Sequence, residues 1–324
     1  MKSLQISLII MLMLAMGGCS SARKSDSPKP AADTATVAAS IAFNADSAYA
    51  YTASQCAFGP RVPNTEAHRL CGDYLAAHLA RFGRLTEQRA TLTAFDGTVL
   101  NARNIICEIN PDSARRILLL AHWDCRPWAD NDPIESNRRR PVPGANDGAS
   151  GVAVLMELAR MFAQQPPRVG VDILLVDAED WGQSNAGDDD RSWALGTQYW
   201  CRHKHRPDYQ PMFGILLDMV GTRNARFPHE YFSAYHAPQI LEIVWDEARK
   251  AGYGDFFVNR NAIGVTDDHI YINEAGIPCI DIIDLGDGTS FFDGWHTTAD
   301  DINVISAETL EAVGSTVAKV IYRF

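Results

Sequence analysis

The feature that most constrains this chain is a series of short apolar runs that alternate with helical patterns. Continuous apolar runs of strand length are typical of strands that are buried on both faces of a parallel sheet. Strand-like runs of this kind occur at 104–109, 116–121, 171–176, 214–219 and 277–283. Helical patterns lie before, between and after them, at 67–82, 151–164, 238–251 and 307–322. We therefore predict a three-layer α/β sandwich with a mostly parallel, twisted central sheet flanked by helices.

Ligands of open parallel sheets bind beyond the carboxyl ends of the strands. Polar side chains stand at that point of three predicted strands: His122, Asp124, Asp177, Glu179, Asp180 and Asp218. Crowded carboxylates raise one another's pKa unless a cation neutralises them, so this pattern predicts a metal site. A mixture of carboxylate and imidazole ligands favours zinc over magnesium or calcium.

Two segments of this edge have informative local patterns. Asp147 lies in the glycine-rich loop 144–151, directly before a predicted helix, where it presents a carboxylate close to the backbone; the alternative is an N-cap aspartate. The loop has no Gly-x-Ser-x-Gly pattern, so a serine nucleophile is not indicated. Glu179 and Asp180 are neighbours at a strand end, where successive side chains diverge. One of them can therefore bind a metal while the other stays uncoordinated as a general base.

His269 and His296 are two further candidates for a functional role, and their local sequences differ. His296 follows Trp295 and a glycine-bearing approach at 286–294, which favours a position in a pocket. His269 follows Asp267 and Asp268 at the start of a helical segment, where the alternative to a functional role is a capped, hydrogen-bonded structural histidine.

The order of these motifs resembles the zinc aminopeptidase-like (M28-type) fold. More narrowly, the chain resembles the animal-type glutaminyl cyclases, also called glutaminyl-peptide cyclotransferases, and their bacterial relatives. The resemblance spans roughly residues 50 to 320 and rests on segments 122–124, 144–151, 177–180, 217–219, 267–269 and 295–297. The chain departs from the animal pattern at Asp180, where glutamate is usual, at Asp281, where histidine is usual, and in an insertion at 183–190.

The resemblance implies a cyclotransferase that converts N-terminal glutamine of peptides or proteins to pyroglutamate and releases ammonia. It implies one zinc ion per chain, held by Asp147, Asp180 and His296. Glu179 would be the general acid and base, while Asp218 and Asp267 would hold the amine and the leaving group. The expected pocket wall is aromatic and consists of Trp193, Phe291 and Trp295.

Two other functions remain open at this stage. A two-zinc aminopeptidase of the same fold would use His122 and Asp218 as additional ligands. Peptidases of this fold tend to carry serine where this chain has Asp267, whereas cyclases carry aspartate. A carboxyl group at 267 can share a proton with Asp218 and so withdraw Asp218 from metal binding. A binding module without catalysis is the third function, and the complete set of a base and metal ligands argues against it.

The first residues predict export. Lys2 precedes a mainly apolar run at 4–16, which is shorter than the roughly 20 residues that a membrane-spanning helix needs. Gly17 and Gly18 then precede Cys19 in a pattern that resembles a bacterial lipobox; the alternative is an ordinary signal peptide. We expect a signal peptide at 1–18, a lipidated Cys19, a flexible tether at 19–38 and one catalytic domain at 39–324. The protein would face the periplasm and contact the membrane only through its lipid.

Charge and cysteine usage narrow the partners further. The chain has 29 Lys and Arg against 40 Asp and Glu, a formal net charge of −11 at pH 7, which argues against nucleic acid as a partner. Its remaining six cysteines include no C-x-x-C pair, so thiolate metal binding is unsupported. In an oxidising compartment Cys56 and Cys71 are the candidates for a disulfide.

Overall fold

A computed structural model of the protein describes residues 42–184 and 191–324. The expected signal peptide, Cys19, the tether and residues 185–190 of the insertion lie outside the described residues. Within the described ranges the helices are α1 (Ala45–Ala57), α2 (Glu66–Leu79), α3 (Ala149–Gln164), α4 (Leu195–Arg202), α5 (Tyr231–His236), α6 (Pro238–Lys250), α7 (Asp268–Glu274) and α8 (Ala307–Arg323). None of these helices is long and apolar enough to cross a membrane.

The strands form one large sheet and one small one. They are β1 (Arg84–Thr93), β2 (Val99–Ile109), β3 (Arg116–His122), β4 (Gly170–Val176), β5 (Gly214–Asp218), β6 (Phe227–His229), β7 (Phe257–Asn261) and β8 (Cys279–Ile283). The large sheet has the order β1-β2-β4-β3-β5-β8, and β6 pairs with β7. Strands β4, β3, β5 and β8 run parallel, whereas β1 and β2 add an antiparallel edge. The carboxyl ends of the four parallel strands therefore meet at one edge.

Both faces of the parallel strands are covered by helices. Along β3, Leu119 packs into the core beneath α1, α3, α6 and α8, whereas the next residue, Leu120, packs into the core beneath α4 and α7. This alternation follows from the two-residue period of a strand. Every residue of β3, β4, β5 and β8 is buried, as the continuous apolar runs indicate. The predicted three-layer α/β class is confirmed.

The sequence patterns missed elements that are peripheral or weakly apolar. Strand β1 lies at the sheet edge with a largely exposed or half-buried face, so it has no apolar run that would reveal it. Helix α1 is rich in alanine and polar residues and has little amphipathic pattern. The candidate pair Cys56 and Cys71 forms no disulfide, because all six cysteines in the described ranges are free thiols.

Candidate active site

The predicted site residues line one cavity at the carboxyl edge of the sheet. The cavity has a volume of about 260 Å³. Its lining includes every residue that the resemblance to the cyclases implies as a base, a positioning carboxylate, a metal ligand or an aromatic wall: Asp147, Glu179, Asp180, Trp193, Asp218, Asp267, Phe291, Trp295 and His296. Met219 and the segment 263–266 complete the lining. Residues from six separate segments of the chain thus converge on one pocket.

The backbone around this pocket adopts conformations that side chains normally avoid. Ala178, Met219 and His296 have φ angles of 55°, 47° and 55°. Positive φ is uncommon for residues other than glycine, and it concentrates at functional sites where packing enforces it. Ala178 and Met219 directly adjoin Glu179 and Asp218, so this backbone geometry helps to aim both carboxyl groups.

Asp147 lies in a turn whose backbone conformation and close packing require glycine. Gly148 has a φ of 100° and is the N-cap of α3, so Asp147 precedes the cap and is not itself the N-cap residue. A Cβ at Gly151 would lie 2.1 Å from the carbonyl oxygen of Leu217, so only glycine allows α3 to start this close to β5. Asp300 holds the turn from the other side, because its carboxylate accepts hydrogen bonds from the backbone N–H groups of Asn146 and Asp147 at 2.7 and 3.0 Å.

Asp124 organises the turn that carries Glu179 and Asp180. Its two carboxylate oxygens accept the backbone N–H groups of Glu179 and Asp180, each at 3.1 Å. Asp124 is fully buried and does not line the cavity. It therefore positions Glu179 and Asp180, the candidate base and the neighbouring candidate ligand.

Asp147, Asp180 and His296 form a compact group of candidate metal ligands. One ligand atom from each lies within 4.8 Å of the others. Nε2 of His296 is 3.3 Å from Oδ1 of Asp180 and 3.8 Å from Oδ2 of Asp147. Oδ2 of Asp180 is buried and has no hydrogen-bond partner among the described residues. Buried carboxylate oxygens are normally satisfied, so an orphan oxygen beside an imidazole nitrogen fits a cation.

Asp130 and Arg126 form a chain of polar contacts that orients His296. Nδ1 of His296 lies 3.5 Å from Oδ1 of Asp130, so the ring turns Nε2 toward the two other candidate ligands. Arg126 donates to both Asp130 oxygens at 2.8 Å. Burial raises the pKa of Asp130, but hydrogen bonds from Arg126 and His296 outweigh it and keep that pKa well below its usual value. Sequence reasoning missed both residues, although each lies in the loop that follows β3.

A second group of candidate ligands shares Asp147. Nε2 of His122 lies 3.0 Å from Oδ1 of Asp147 and 3.2 Å from Oδ1 of Asp218. Burial lowers the pKa of His122, but the carboxylates of Asp124, Asp147 and Asp218, which accept hydrogen bonds from its ring, outweigh burial and raise this pKa well above its usual value. The arrangement expected for a second metal in the peptidase alternative is therefore present geometrically, and a protonated His122 satisfies the same carboxylates.

Glu179 and Asp267 are carboxyl groups whose pKa values are raised by the pocket. Burial raises the pKa of Glu179 well above its usual value, and the negative charge of Asp267 adds to this. Burial also raises the pKa values of Asp218 and Asp267. Oδ2 of Asp267 is buried and unpaired within the described part of the chain. Carboxyl groups with raised pKa values in a pocket are candidates for acid–base chemistry.

Three aromatic side chains surround the metal-ligand candidates. The rings of Trp295 and His296 stack with centroids 3.8 Å apart, and Phe291 packs on Trp295 at 4.2 Å. Trp193 faces His296 from another direction, with a centroid distance of 6.0 Å and an interplanar angle of 17°. The geometry brings together the three predicted wall residues.

Two polar residues flagged by the sequence have structural roles instead. Asp177 accepts hydrogen bonds from Nε2 of His68 at 2.9 Å and from the backbone N–H of Arg103 at 2.6 Å, and it does not line the cavity. His269 is fully buried, and its Nε2 lies 3.1 Å from Oε2 of Glu230. The pairing of Glu230 with His269 had no signal in the sequence, because the two residues are 39 positions apart.

Fold and site together define a class: α/β proteins with a carboxylate–imidazole metal site and an adjacent glutamate at the carboxyl edge of the sheet. Residues 104–321 match the model of peptidase family M28. The chain belongs to peptidase family M28.

Solved structures extend the likeness over most of the chain. One is glutaminyl cyclase from Bacteroides thetaiotaomicron bound to N-acetylhistamine, with 50% identity and a TM-score of 0.85 over 88% of this chain and 99% of that one. Another is a Zn-dependent exopeptidase from Parabacteroides distasonis, also with 50% identity and a TM-score of 0.85, over 88% of this chain and 100% of that one.

The curated relatives are more distant and longer. Glutaminyl-peptide cyclotransferase from Gloydius blomhoffii is 26% identical over 238 residues, which are 64% of this chain and 61% of that protein. The chain spans 54–62% of the length of the curated aminopeptidase and cyclotransferases that it matches.

Proposed function

We propose that this protein is a glutaminyl-peptide cyclotransferase that acts on peptides or proteins with N-terminal glutamine. The observation that carries the proposal is the carboxyl group of Asp267, which lines the same pocket as Glu179 and Asp218. An aminopeptidase also binds the α-amine and expels a nitrogen, so the significance of Asp267 is its effect on Asp218, whose pKa is raised by burial and by the negative charge of Asp267. Likeness to the bacterial glutaminyl cyclase supports the same conclusion.

We infer that one zinc ion binds Asp147, Asp180 and His296. The donor set of two carboxylates and one imidazole fits zinc, and the unpaired Oδ2 of Asp180 supports a cation there. When bound, zinc supplies positive charge that polarises an amide carbonyl and lowers the energy of the oxyanion that develops on it.

Glu179 is the proton carrier of the proposed mechanism. Its carboxylate takes one proton from the attacking α-amine of the substrate and returns it to the side-chain amide nitrogen, which leaves as ammonia. A bond forms between the α-nitrogen and the side-chain carbonyl carbon, and the bond from that carbon to the amide nitrogen breaks. The raised pKa of Glu179, caused by burial, suits a group that must both accept and release this proton.

The remaining pocket residues position the substrate. Asp218 and Asp267 hold the amine and the leaving nitrogen, so ring closure benefits from proximity and needs no covalent enzyme intermediate. Trp193, Phe291 and Trp295 form walls that favour a folded glutamine side chain and keep bulk water away from it.

A two-zinc aminopeptidase is the second candidate, favoured by the group formed by His122, Asp147 and Asp218. That enzyme would consume water and release free glutamine from the same substrate. We prefer the cyclase because burial and the negative charge of Asp267 raise the pKa of Asp218, and a carboxyl group that retains its proton is a poor ligand for a second metal.

The deciding experiment incubates the purified protein with a glutamine-initiated peptide and measures ammonia, free glutamine and peptide mass. The cyclase yields ammonia and a peptide that has lost one ammonia; release of free glutamine and a peptide shortened by one residue would establish the aminopeptidase. Zinc analysis of the same sample gives a second criterion, because we expect one ion per chain rather than two.

Asp267→Ser separates the two candidates within this chain. The variant carries the peptidase-like residue, so we expect it to lose cyclisation and to bind a second metal weakly through His122 and Asp218. Cyclisation at the wild-type rate in Asp267→Ser would remove the main reason for preferring the cyclase.

We also propose that the protein is an exported bacterial lipoprotein, cleaved before Cys19 and lipidated there, with the catalytic domain facing the periplasm. The lipobox-like pattern that ends at Cys19 supports this. In cells that express the full chain, Cys19→Ser should move the protein from the membrane to the soluble fraction. A variant that stays membrane-bound after a high-salt wash would contradict the lipid anchor.

A further inference from the structure

One side of the pocket mouth is apolar and open to solvent. Ile263 lines the cavity, yet 41% of its surface is exposed, so it lies where the cavity meets the outside. Its carbonyl oxygen accepts a hydrogen bond from the backbone N–H of Tyr231 at 3.3 Å. The start of α5 is therefore a direct neighbour of the pocket mouth.

Helix α5 places two exposed tyrosines beside this mouth. Tyr231 and Tyr235 are one helical turn apart, with 56% and 71% of their surfaces exposed. Their rings lie nearly parallel, with centroids 6.5 Å apart and an interplanar angle of 12°. We call Tyr231, Tyr235 and Ile263 the tyrosine shelf. Three large apolar side chains left open at one place on a soluble domain indicate a binding surface.

The shelf is fixed to the protein beneath it. Glu230 caps α5 by accepting the N–H groups of Phe232 and Ser233 at 2.9 and 2.6 Å. It also accepts the backbone N–H of Val265 at 3.0 Å, which ties the helix to the segment that lines the pocket. A Cβ at Gly264 would lie 2.6 Å from the ring of Phe232, so the two segments pack closely. A surface held in this way loses little conformational entropy on binding.

We propose that the tyrosine shelf binds the two or three residues that follow the N-terminal glutamine of a peptide substrate, and that it favours apolar or aromatic side chains there. This inference rests on the proposed function and adds a substrate preference to it. The glutamine fills the pocket, so the rest of the peptide must leave through the mouth, where the backbone of Ile263 is hydrogen-bonded to Tyr231 at the start of α5. Tyrosine rings suit this task because they offer a large apolar area with few rotatable bonds.

The test compares substrates that reach the shelf with one that does not. Kinetics are measured on Gln-Leu-Phe-Ala amide, on Gln-Gly-Gly-Gly amide and on glutamine amide, with the wild type and with a Tyr231→Ala/Tyr235→Ala double variant. We expect the double variant to raise the KM of the Leu-Phe peptide about tenfold, since a few buried aromatic side chains dominate such contacts. The KM of glutamine amide and the kcat of all three substrates should stay unchanged.

Tyr49→Ala is the matched control, because Tyr49 is 36% exposed and lies on α1. It should change none of the constants. An equal loss on glutamine amide and on the Leu-Phe peptide would overturn the proposal, because the tyrosines would then act on the pocket itself. An unchanged KM for the Leu-Phe peptide would also overturn it, and so would a change of oligomeric state caused by the double variant, which would assign the shelf to contacts between copies of the chain.

Failure of the proposed function has a different signature. If the wild type releases no ammonia from any of the three substrates, the cyclase assignment is wrong. Calorimetric titration with the same Leu-Phe peptide then tests whether the tyrosine shelf binds peptide, independently of catalysis. Weaker binding by the double variant than by Tyr49→Ala supports the proposal, and equal binding rejects it.

Discussion

The two ends of the parallel sheet bury charge in opposite ways. At the amino end Arg116 donates to both oxygens of Asp172 at 2.6 and 2.7 Å, and Tyr209 donates to Asp172 at 2.7 Å. At the carboxyl end, oxygens of Asp180 and Asp267 are buried with no hydrogen-bond partner in the described part of the chain. The buried aspartate at the amino end thus has hydrogen-bond partners for both carboxylate oxygens, whereas at the carboxyl end Asp180 and Asp267 each have an oxygen without a partner among the described residues.

This difference between the two ends separates buried charges that stabilise the fold from buried charges that are available to bind a ligand. Burial of a charge costs several kcal/mol unless a partner compensates it. The amino end compensates its carboxylates within the chain, whereas the carboxyl end lacks enough cations for its own. A chain retains such an imbalance where a metal ion, a substrate amine or an exchanged proton completes the set. Substitutions at the carboxyl end should therefore affect activity most, and substitutions at the amino end should affect stability most.

The largest effect is expected from removal of a metal ligand. Asp180→Ala should remove zinc and reduce turnover by about 10⁴ or more, since both polarisation and orientation are lost. Metal content and ammonia release measure the two losses on one sample, and Asp208→Ala, at an exposed position, is the control. Full zinc content in Asp180→Ala would move the ligand role to another residue, with Glu179 as the first candidate.

Replacement of the base should separate chemistry from metal binding at the same end of the sheet. Glu179→Gln keeps the shape of the side chain but cannot accept a proton, so we expect turnover to fall by about 10² to 10⁴. Zinc content should equal that of the wild type. Loss of zinc together with activity would show that Glu179 is a ligand and that the division of roles between positions 179 and 180 is wrong.

The residues that line the pocket at the carboxyl end of the sheet could be predicted from the sequence much better than the buried residues that hold them in position. Glu179 and Asp218 stand at the ends of apolar runs, so their position at one edge could be predicted from the pattern of a parallel sheet, whereas Asp147 was marked by its glycine-rich loop. The resemblance to a family supplied Trp193 and Phe291. Asp130, Glu230 and Asp300 each contact a residue far along the chain, and no local pattern marks those distant partners.

A paired group at the amino end should matter for stability alone. Arg116→Met removes the guanidinium that pairs with Asp172 and leaves a carboxylate buried and largely uncompensated. We expect a loss of about 3–5 kcal/mol in the free energy of unfolding, the usual result of breaking a buried ion pair. Turnover of the folded variant should not change. Urea unfolding of Arg116→Met against Arg115→Met, whose arginine is exposed, measures the difference.

The smallest expected effect concerns Glu230, which is near the pocket but has hydrogen-bond partners for both of its carboxylate oxygens. It therefore tests whether pairing distinguishes a stabilising carboxylate from the partly unpaired carboxyl groups of the pocket. Burial raises its pKa, but the hydrogen bonds from His269, the backbone N–H of Phe232 and the hydroxyl of Ser233 outweigh burial and lower this pKa to about 2. A carboxyl group with a lowered folded-state pKa stabilises the protein at pH values above its unfolded pKa, near 4.5, and loses that contribution as the pH falls toward 2.

We therefore expect Glu230→Gln to be less stable than the wild type by about 3 kcal/mol at pH 7. The difference should shrink steadily between pH 4.5 and pH 2, because the wild-type carboxylate becomes protonated there and the amide does not titrate. Unfolding measured across this range, with Glu311→Gln as an exposed control, gives the difference directly. A constant difference at all pH values would mean that Glu230 acts through its shape and not its charge, and that pairing does not distinguish it from the carboxyl groups of the pocket.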